Sequence, residues 1–128
     1  MTPGEFRRLA LSLPEAREAG HMGHPDFRVG GRIFATLGYP DQAWGMVKLT
    51  PEQQEAFVEA KPTVFVAVKG GWGRKGATNV GLGPAGAKEV QLALATAWRN
   101  VAPARLASAD LGKSKRERSR GKRPRSQR

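Results

Sequence analysis

Apolar and polar positions switch between two periods along this chain, and the switches mark its elements. Phe6, Leu9, Ala10 and Leu13 recur at helical spacing behind Thr2-Pro3-Gly4-Glu5, a capping box with proline at the first helical position. Leu13-Pro14 is expected to end that helix. From Phe27 the period becomes two. Phe27 and Val29 alternate with Asp26 and Arg28, and Gly30-Gly31 supplies the positive φ angles of a two-residue turn. Ile33, Ala35 and Leu37 then alternate with Arg32, Phe34 and Thr36. This is a β-hairpin. After a loop from Gly38 to Ala43, Trp44 to Leu49 reads as a third strand. Thr50-Pro51-Glu52-Gln53 is a second capping box, and its short helix is expected to run to Glu59 or Ala60, before Pro62. Thr63 to Lys69 is the most hydrophobic strand, with Val64, Val66 and Val68 on one side. Gly70 to Gly76 is a glycine-rich loop, and Ala77 to Leu82 is a fifth strand. Gly83-Pro84 leads into a last helix with Val90, Leu94, Ala97, Trp98 and Val101 on its apolar face and Pro103 beyond its end.

This order predicts an α+β class: a single small domain with a largely antiparallel sheet and N-terminal, middle and C-terminal helices. Trp44, Trp98, Phe34, Phe57 and Phe65 are expected in the core, where aromatics at such positions usually lie. No internal repeat is visible. After Leu111 the apolar pattern stops. With nothing to bury, that stretch cannot offset the entropy of ordering and is expected to be disordered, which divides the chain into a domain over 1–108 and a tail over 109–128.

Composition narrows the picture. The 128 residues suit one domain, and 39% hydrophobic content suits a modest core. No apolar run approaches bilayer length, and Glu5, Arg7 and Arg8 stand where a signal peptide would need apolar residues. The absence of cysteine excludes disulfides, thiolate metal sites and cysteine nucleophiles. A cytoplasmic protein is expected. The net charge of +11 is unevenly placed. Residues 1–110 carry thirteen Lys/Arg against ten Asp/Glu, a net +3, whereas residues 111–128 carry nine Lys/Arg against Glu117 alone, a net +8. The tail therefore accounts for most of the basic balance and offers non-specific attraction to polyanions.

Candidate chemistry is sparse. Gly71, Gly73 and Gly76 form a G-x-G-x-x-G, but the mechanism of that fingerprint needs a helix to begin at the last glycine. Ala77-Thr-Asn-Val-Gly-Leu-Gly-Pro84 reads as strand and turn instead, so no nucleotide cofactor is expected. Lys69, Trp72, Arg74 and Lys75 cluster in the same loop, where cations beside one aromatic could follow a phosphate backbone. The dull alternative is a solvated loop with Trp72 folded onto the sheet. His21, His24 and Asp26 bring three possible ligands into six residues, but Gly23 and Pro25 favour a structural turn over a metal site. Ser12, Ser108, Ser114, Ser119 and Ser126 lack a nucleophile-elbow context, and the glutamates sit in or beside helices. No catalytic residue is assigned, and the chain is expected not to be an enzyme.

Four stretches resemble one family. Gly23-His-Pro-Asp-Phe-Arg-Val-Gly-Gly-Arg-Ile-Phe-Ala35 is similar to the G-x-P-x-F-x-V-x-G-K/R-x-F-A block of the MmcQ/YjbR family of small bacterial proteins. Gly45-Met-Val-Lys-Leu-Thr-Pro-Glu-Gln-Gln54 resembles its next block. Gly71-Trp-Gly with Thr78-Asn-Val resembles its aromatic hairpin region, and Ala97-Trp-Arg-Asn-Val-Ala-Pro-Ala-Arg-Leu106 its closing helix. The blocks follow in order over residues 1–108. The resemblance implies a one-domain double-wing fold and a DNA-binding role, with no catalytic residue or cofactor to carry over. The tail lies outside it.

The leading expectation is a monomeric nucleic-acid-binding protein, with DNA favoured over RNA. Arg28, Arg32, Lys48, Lys69, Trp72, Arg74 and Lys75 would act from the folded part. Lys113, Lys115, Arg116, Arg118, Arg120, Lys122, Arg123, Arg125 and Arg128 would act from the tail. The alternative is a non-enzymatic protein- or small-ligand-binding module whose tail holds RNA or other polyanions non-specifically. The placement of Arg28, Arg32, Lys48, Lys69, Arg74 and Lys75 separates the two: one shared face favours nucleic acid, and a spread over opposite faces disfavours it.

Overall fold

The computed structural model describes residues 1–21, 24–38 and 41–107. The predicted tail lies outside the described residues. Helix α1 spans Pro3–Leu11, and strands β1 (Arg17–His21), β2 (His24–Val29), β3 (Arg32–Leu37) and β4 (Trp44–Lys48) follow. Helix α2 (Pro51–Ala60), strand β5 (Phe65–Ala67), the one-turn helix α3 (Gly71–Arg74), strand β6 (Ala77–Gly81) and helix α4 (Ala87–Val101) complete the order. The six strands form one antiparallel sheet in the order β1-β2-β3-β4-β6-β5.

Both capping boxes form. The Thr2 hydroxyl accepts from the Glu5 amide at 3.1 Å while the Thr2 amide donates to the Glu5 carboxylate at 2.9 Å. That backbone hydrogen bond holds the Glu5 carboxyl below its usual pKa, so its share of the cap is present at neutral pH and is lost as pH falls through the lowered value. Thr50 and Gln53 repeat the arrangement at 3.1 and 2.9 Å. Thr50→Ala should therefore cost about 1 kcal/mol in urea unfolding, with the slope of the transition unchanged.

Helices α1 and α4 cover one face of the sheet. Phe6, Leu9 and Ala10 of α1 and Val90, Ala93, Leu94, Ala97, Trp98 and Val101 of α4 bury the apolar stripe that their spacing predicts. They meet Phe27, Ala35, Leu37, Val47 and Val80. Gly45 allows the approach: a Cβ there would lie 2.8 Å from the Phe6 ring. The Trp98 indole N–H donates to the Pro14 carbonyl at 3.0 Å and ties α4 to the chain leaving α1.

The structure corrects four expectations about elements. Arg17–His21 pairs with β2 as an edge strand, so the hairpin belongs to a longer meander. Arg17-Glu-Ala-Gly-His lacks the apolar alternation that marks a half-buried strand, as a charged edge strand often does. Second, β3 is bulged. Phe27 pairs with Ala35 and Arg28 with Ile33, which leaves Phe34 as the extra residue, and Phe34 and Ala35 are both fully buried. The bulge reverses the face of Ile33, which is only half-buried. Third, β5 is short and at an edge; Val64 and Phe65 are buried, whereas Val66 is exposed. Fourth, Trp44 lies half-exposed on the uncovered face, its ring 3.4 Å from where a Cβ of Gly81 would stand. The turn itself is as expected: Gly30 and Gly31 have φ of 59° and 79°, a pair that glycine adopts without strain.

Candidate functional site

The register fixes where the folded cations lie. β2 runs up to Val29, β3 returns from Arg32, β4 runs up to Lys48, and β6 returns from Ala77, opposite Lys48. β5 runs up to Ala67, opposite Thr78, with Lys69 two residues beyond. Arg32, Lys48, Lys69, Arg74 and Lys75 thus share one end of the sheet, although they come from four separate stretches of chain. Arg17, opposite Arg28 on the edge strand, reaches the same end and was not among the sequence candidates. The C-terminal end of α4 also lies here. Asn100 donates to the Lys48 carbonyl at 3.0 Å, and a Cβ on Gly30 would stand 2.9 Å from the Pro103 ring. Pro103, just beyond α4, therefore lies at the cationic end too. Of the acids at this end, Glu52 opens α2, Asp26 is engaged by Arg28, Glu18 by Arg7 and Glu15 by Arg105.

Arg28 differs from the others. Its Nε and Nη2 donate to the two Asp26 carboxylate oxygens at 2.8 and 3.1 Å, a bidentate pair across one strand face. The hydrogen bonds to Asp26 raise the guanidinium pKa further. Asp26 offsets this charge locally, so Arg28 contributes less free cation than its position suggests. The same pairing commits Asp26, and no cluster of His, Cys, Asp and Glu that could hold a metal occurs among the described residues. His21 and His24 are register partners at the far end of β1 and β2.

The glycine-rich stretch is a rigid helical turn rather than a loop. Gly73 packs so closely on the backbone that a Cβ would fall 1.6 Å from the Val68 carbonyl oxygen. Gly76, at φ 111°, would place its Cβ 2.0 Å from the Leu49 carbonyl oxygen. The Gln54 side-chain amide donates to the carbonyls of Gly73 and Ala77 at 3.0 and 2.9 Å and clamps α3 to α2 and β6. Because Ala77–Gly81 is a strand, the helix required after a dinucleotide fingerprint is absent, and Gly73 and Gly76 serve packing instead.

That packing turns Trp72 outward. Its side chain is 65% exposed, and the Lys48 ammonium lies 5.7 Å from the ring centroid. Lys48, Leu49, Trp72, Lys75 and Ala77 line a shallow cleft of about 370 Å³. A second shallow cleft, between α2 and β5, is lined by Glu55 and Glu59 beside Val58 and Ala67 and carries the opposite charge. The tail candidates Lys113, Lys115, Arg116, Arg118, Arg120, Lys122, Arg123, Arg125 and Arg128 lie outside the described residues.

The family model described as YjbR matches residues 11–100, which include all six strands and the three glycines of the packed turn. The chain belongs to the YjbR family. A solved structure agrees on the fold of this YjbR domain. The crystal structure of Deinococcus radiodurans protein DR2400, described as a DUF419 domain, superposes with a TM-score of 0.66 at 18% identity, over 88% of this chain and 86% of that one. No curated protein matches the chain. No helix among the described residues is long and apolar enough to cross a membrane.

Proposed function

We propose that this YjbR domain binds DNA non-enzymatically, through phosphate contacts made by the cationic end of its sheet. The observation that carries the reading is the convergence of Arg32, Lys48, Lys69, Arg74 and Lys75 on that end. Lys61, by contrast, pairs with Glu89 at 3.8 Å near the opposite end, where Lys88 opens α4. Five cations drawn from the hairpin, β4, the end of β5 and α3 form a surface that a backbone of regularly spaced phosphates can meet at several points. The basic stretch 111–128 adds non-specific attraction. The acidic cleft at α2 repels a polyanion and so limits the contact to the cationic side.

The test compares two double variants of the full chain by salt-titrated binding to a DNA duplex. Lys69→Ala with Lys75→Ala should flatten the log–log salt dependence by about 1.8, since each lost phosphate contact removes about 0.9. Lys61→Ala with Lys88→Ala should leave the slope unchanged. Equal losses from both pairs would mean that the folded domain offers only diffuse charge.

A further inference from the structure

We infer that the cleft at Trp72 stacks a single unpaired base of a DNA strand whose neighbouring phosphates sit on Lys48 and Lys75. The inference rests on the proposed binding end and names the form of nucleic acid that end prefers. Three observations meet in the cleft. The first is the exposure of Trp72. A tryptophan that is 65% open to solvent leaves a large apolar surface in water, although Leu49 of the apolar core lines the same cleft. The second is rigidity. α3 is held by the glycine contacts to Val68 and Leu49 and by the two Gln54 hydrogen bonds, so the ring is presented by a fixed backbone, not by a loop that could fold away. The third is charge. Lys48 lies over the ring, and Lys75 borders the same cleft, whose remaining walls are the apolar Leu49 and the small Ala77.

These are the parts of a base-stacking platform: a flat aromatic surface, apolar flanks, and two cations bordering the same cleft. In duplex DNA the bases are stacked on one another and cannot offer a face to Trp72. An unpaired base can. Every base has a π-face, so the contact would favour single strands without selecting a sequence. A free mononucleotide has the same base and phosphate chemistry, but it lacks the other phosphates that the cationic end would hold.

The experiment measures binding of the full chain to three probes at low salt: oligothymidylate, an abasic strand of equal length, and free thymidine monophosphate as competitor. Trp72→Ala removes the ring at an exposed position, and Trp72→Phe keeps a stacking surface. The expected result is a loss of about tenfold in affinity for oligothymidylate with Trp72→Ala, substantial retention with Trp72→Phe, and no change for the abasic strand. Millimolar thymidine monophosphate should not displace the strand. Stacking is overturned if the unmodified protein binds the abasic strand as tightly as oligothymidylate, a result that leaves the phosphate-binding end intact. It is overturned equally if Trp72→Ala weakens both strands alike, or if the free nucleotide competes at micromolar concentration. Failure of every strand to bind would remove the binding end itself, and stacking with it.

Discussion

Gly73→Ala should destabilise the domain by roughly 3 kcal/mol in urea unfolding, against the sign that helix propensity gives. Alanine in place of glycine within a helix ordinarily gains about 1 kcal/mol. Here the added methyl would stand 1.6 Å from the Val68 carbonyl oxygen, and the obstacle is backbone that cannot swing aside. α3 would have to leave its seat between β5 and β6 and surrender the Gln54 bonds to Gly73 and Ala77. Gly76→Ala should cost as much by adding strain to a clash, since its φ of 111° lies where side chains are rarely tolerated. Gly71→Ala is the internal contrast. Its methyl would meet only the Arg74 guanidinium at 3.7 Å, so its effect should be within about 0.5 kcal/mol of zero. A dinucleotide fingerprint would need all three glycines. A packed turn needs only the second and third. If Gly73→Ala proves neutral, the rigid presentation of Trp72 loses its basis.

The second large effect concerns the basic stretch. Ending the chain after Asp110 removes the net +8 of residues 111–128. If half of that charge engages phosphates, the salt slope should flatten by roughly 3.6, and affinity at low salt should fall about a hundredfold. Folding should be unaffected, because the described core closes with Val101 and the partly buried Ala102 and Leu106. A shortened chain that binds DNA as tightly, with the same slope, would show that the stretch takes no part. The two predictions act on separate quantities. The glycine variants move stability, and the truncation moves only binding.

Much of the fold was legible from local chemistry. The two Thr-Pro capping boxes and the Gly30-Gly31 turn are signals in which neighbouring residues satisfy one another, and they formed as read. What depended on distant neighbours was not legible. The Phe34 bulge is set by pairing with β2, and it turns a simple alternation into two adjacent core residues. Val66 has strand chemistry but sits at an edge where that face is uncovered. The Gly70 to Gly76 segment reads as a loop because glycine suggests freedom, whereas its glycines are there to let backbone approach backbone. The site divides in the same way. Lys69, Trp72, Arg74 and Lys75 are close in sequence and could be grouped by eye. Their meeting with Arg32 and Lys48 follows from strand order, which no local pattern contains. The Asp26–Arg28 pair was within reach, because residues two apart on a strand share a face. Arg17 was missed together with its strand.

The central claim is that DNA meets the domain at the cationic end of the sheet. A map of backbone amide shifts by NMR, recorded on the full chain as a DNA strand is added at low salt, tests it most directly. The account predicts changes concentrated at Gly30–Arg32, Lys48–Leu49 and Lys69–Ala77, with Leu82–Glu89 and Lys61 unmoved. Shifts confined to the opposite end, or to residues beyond Ala107 alone, would contradict it.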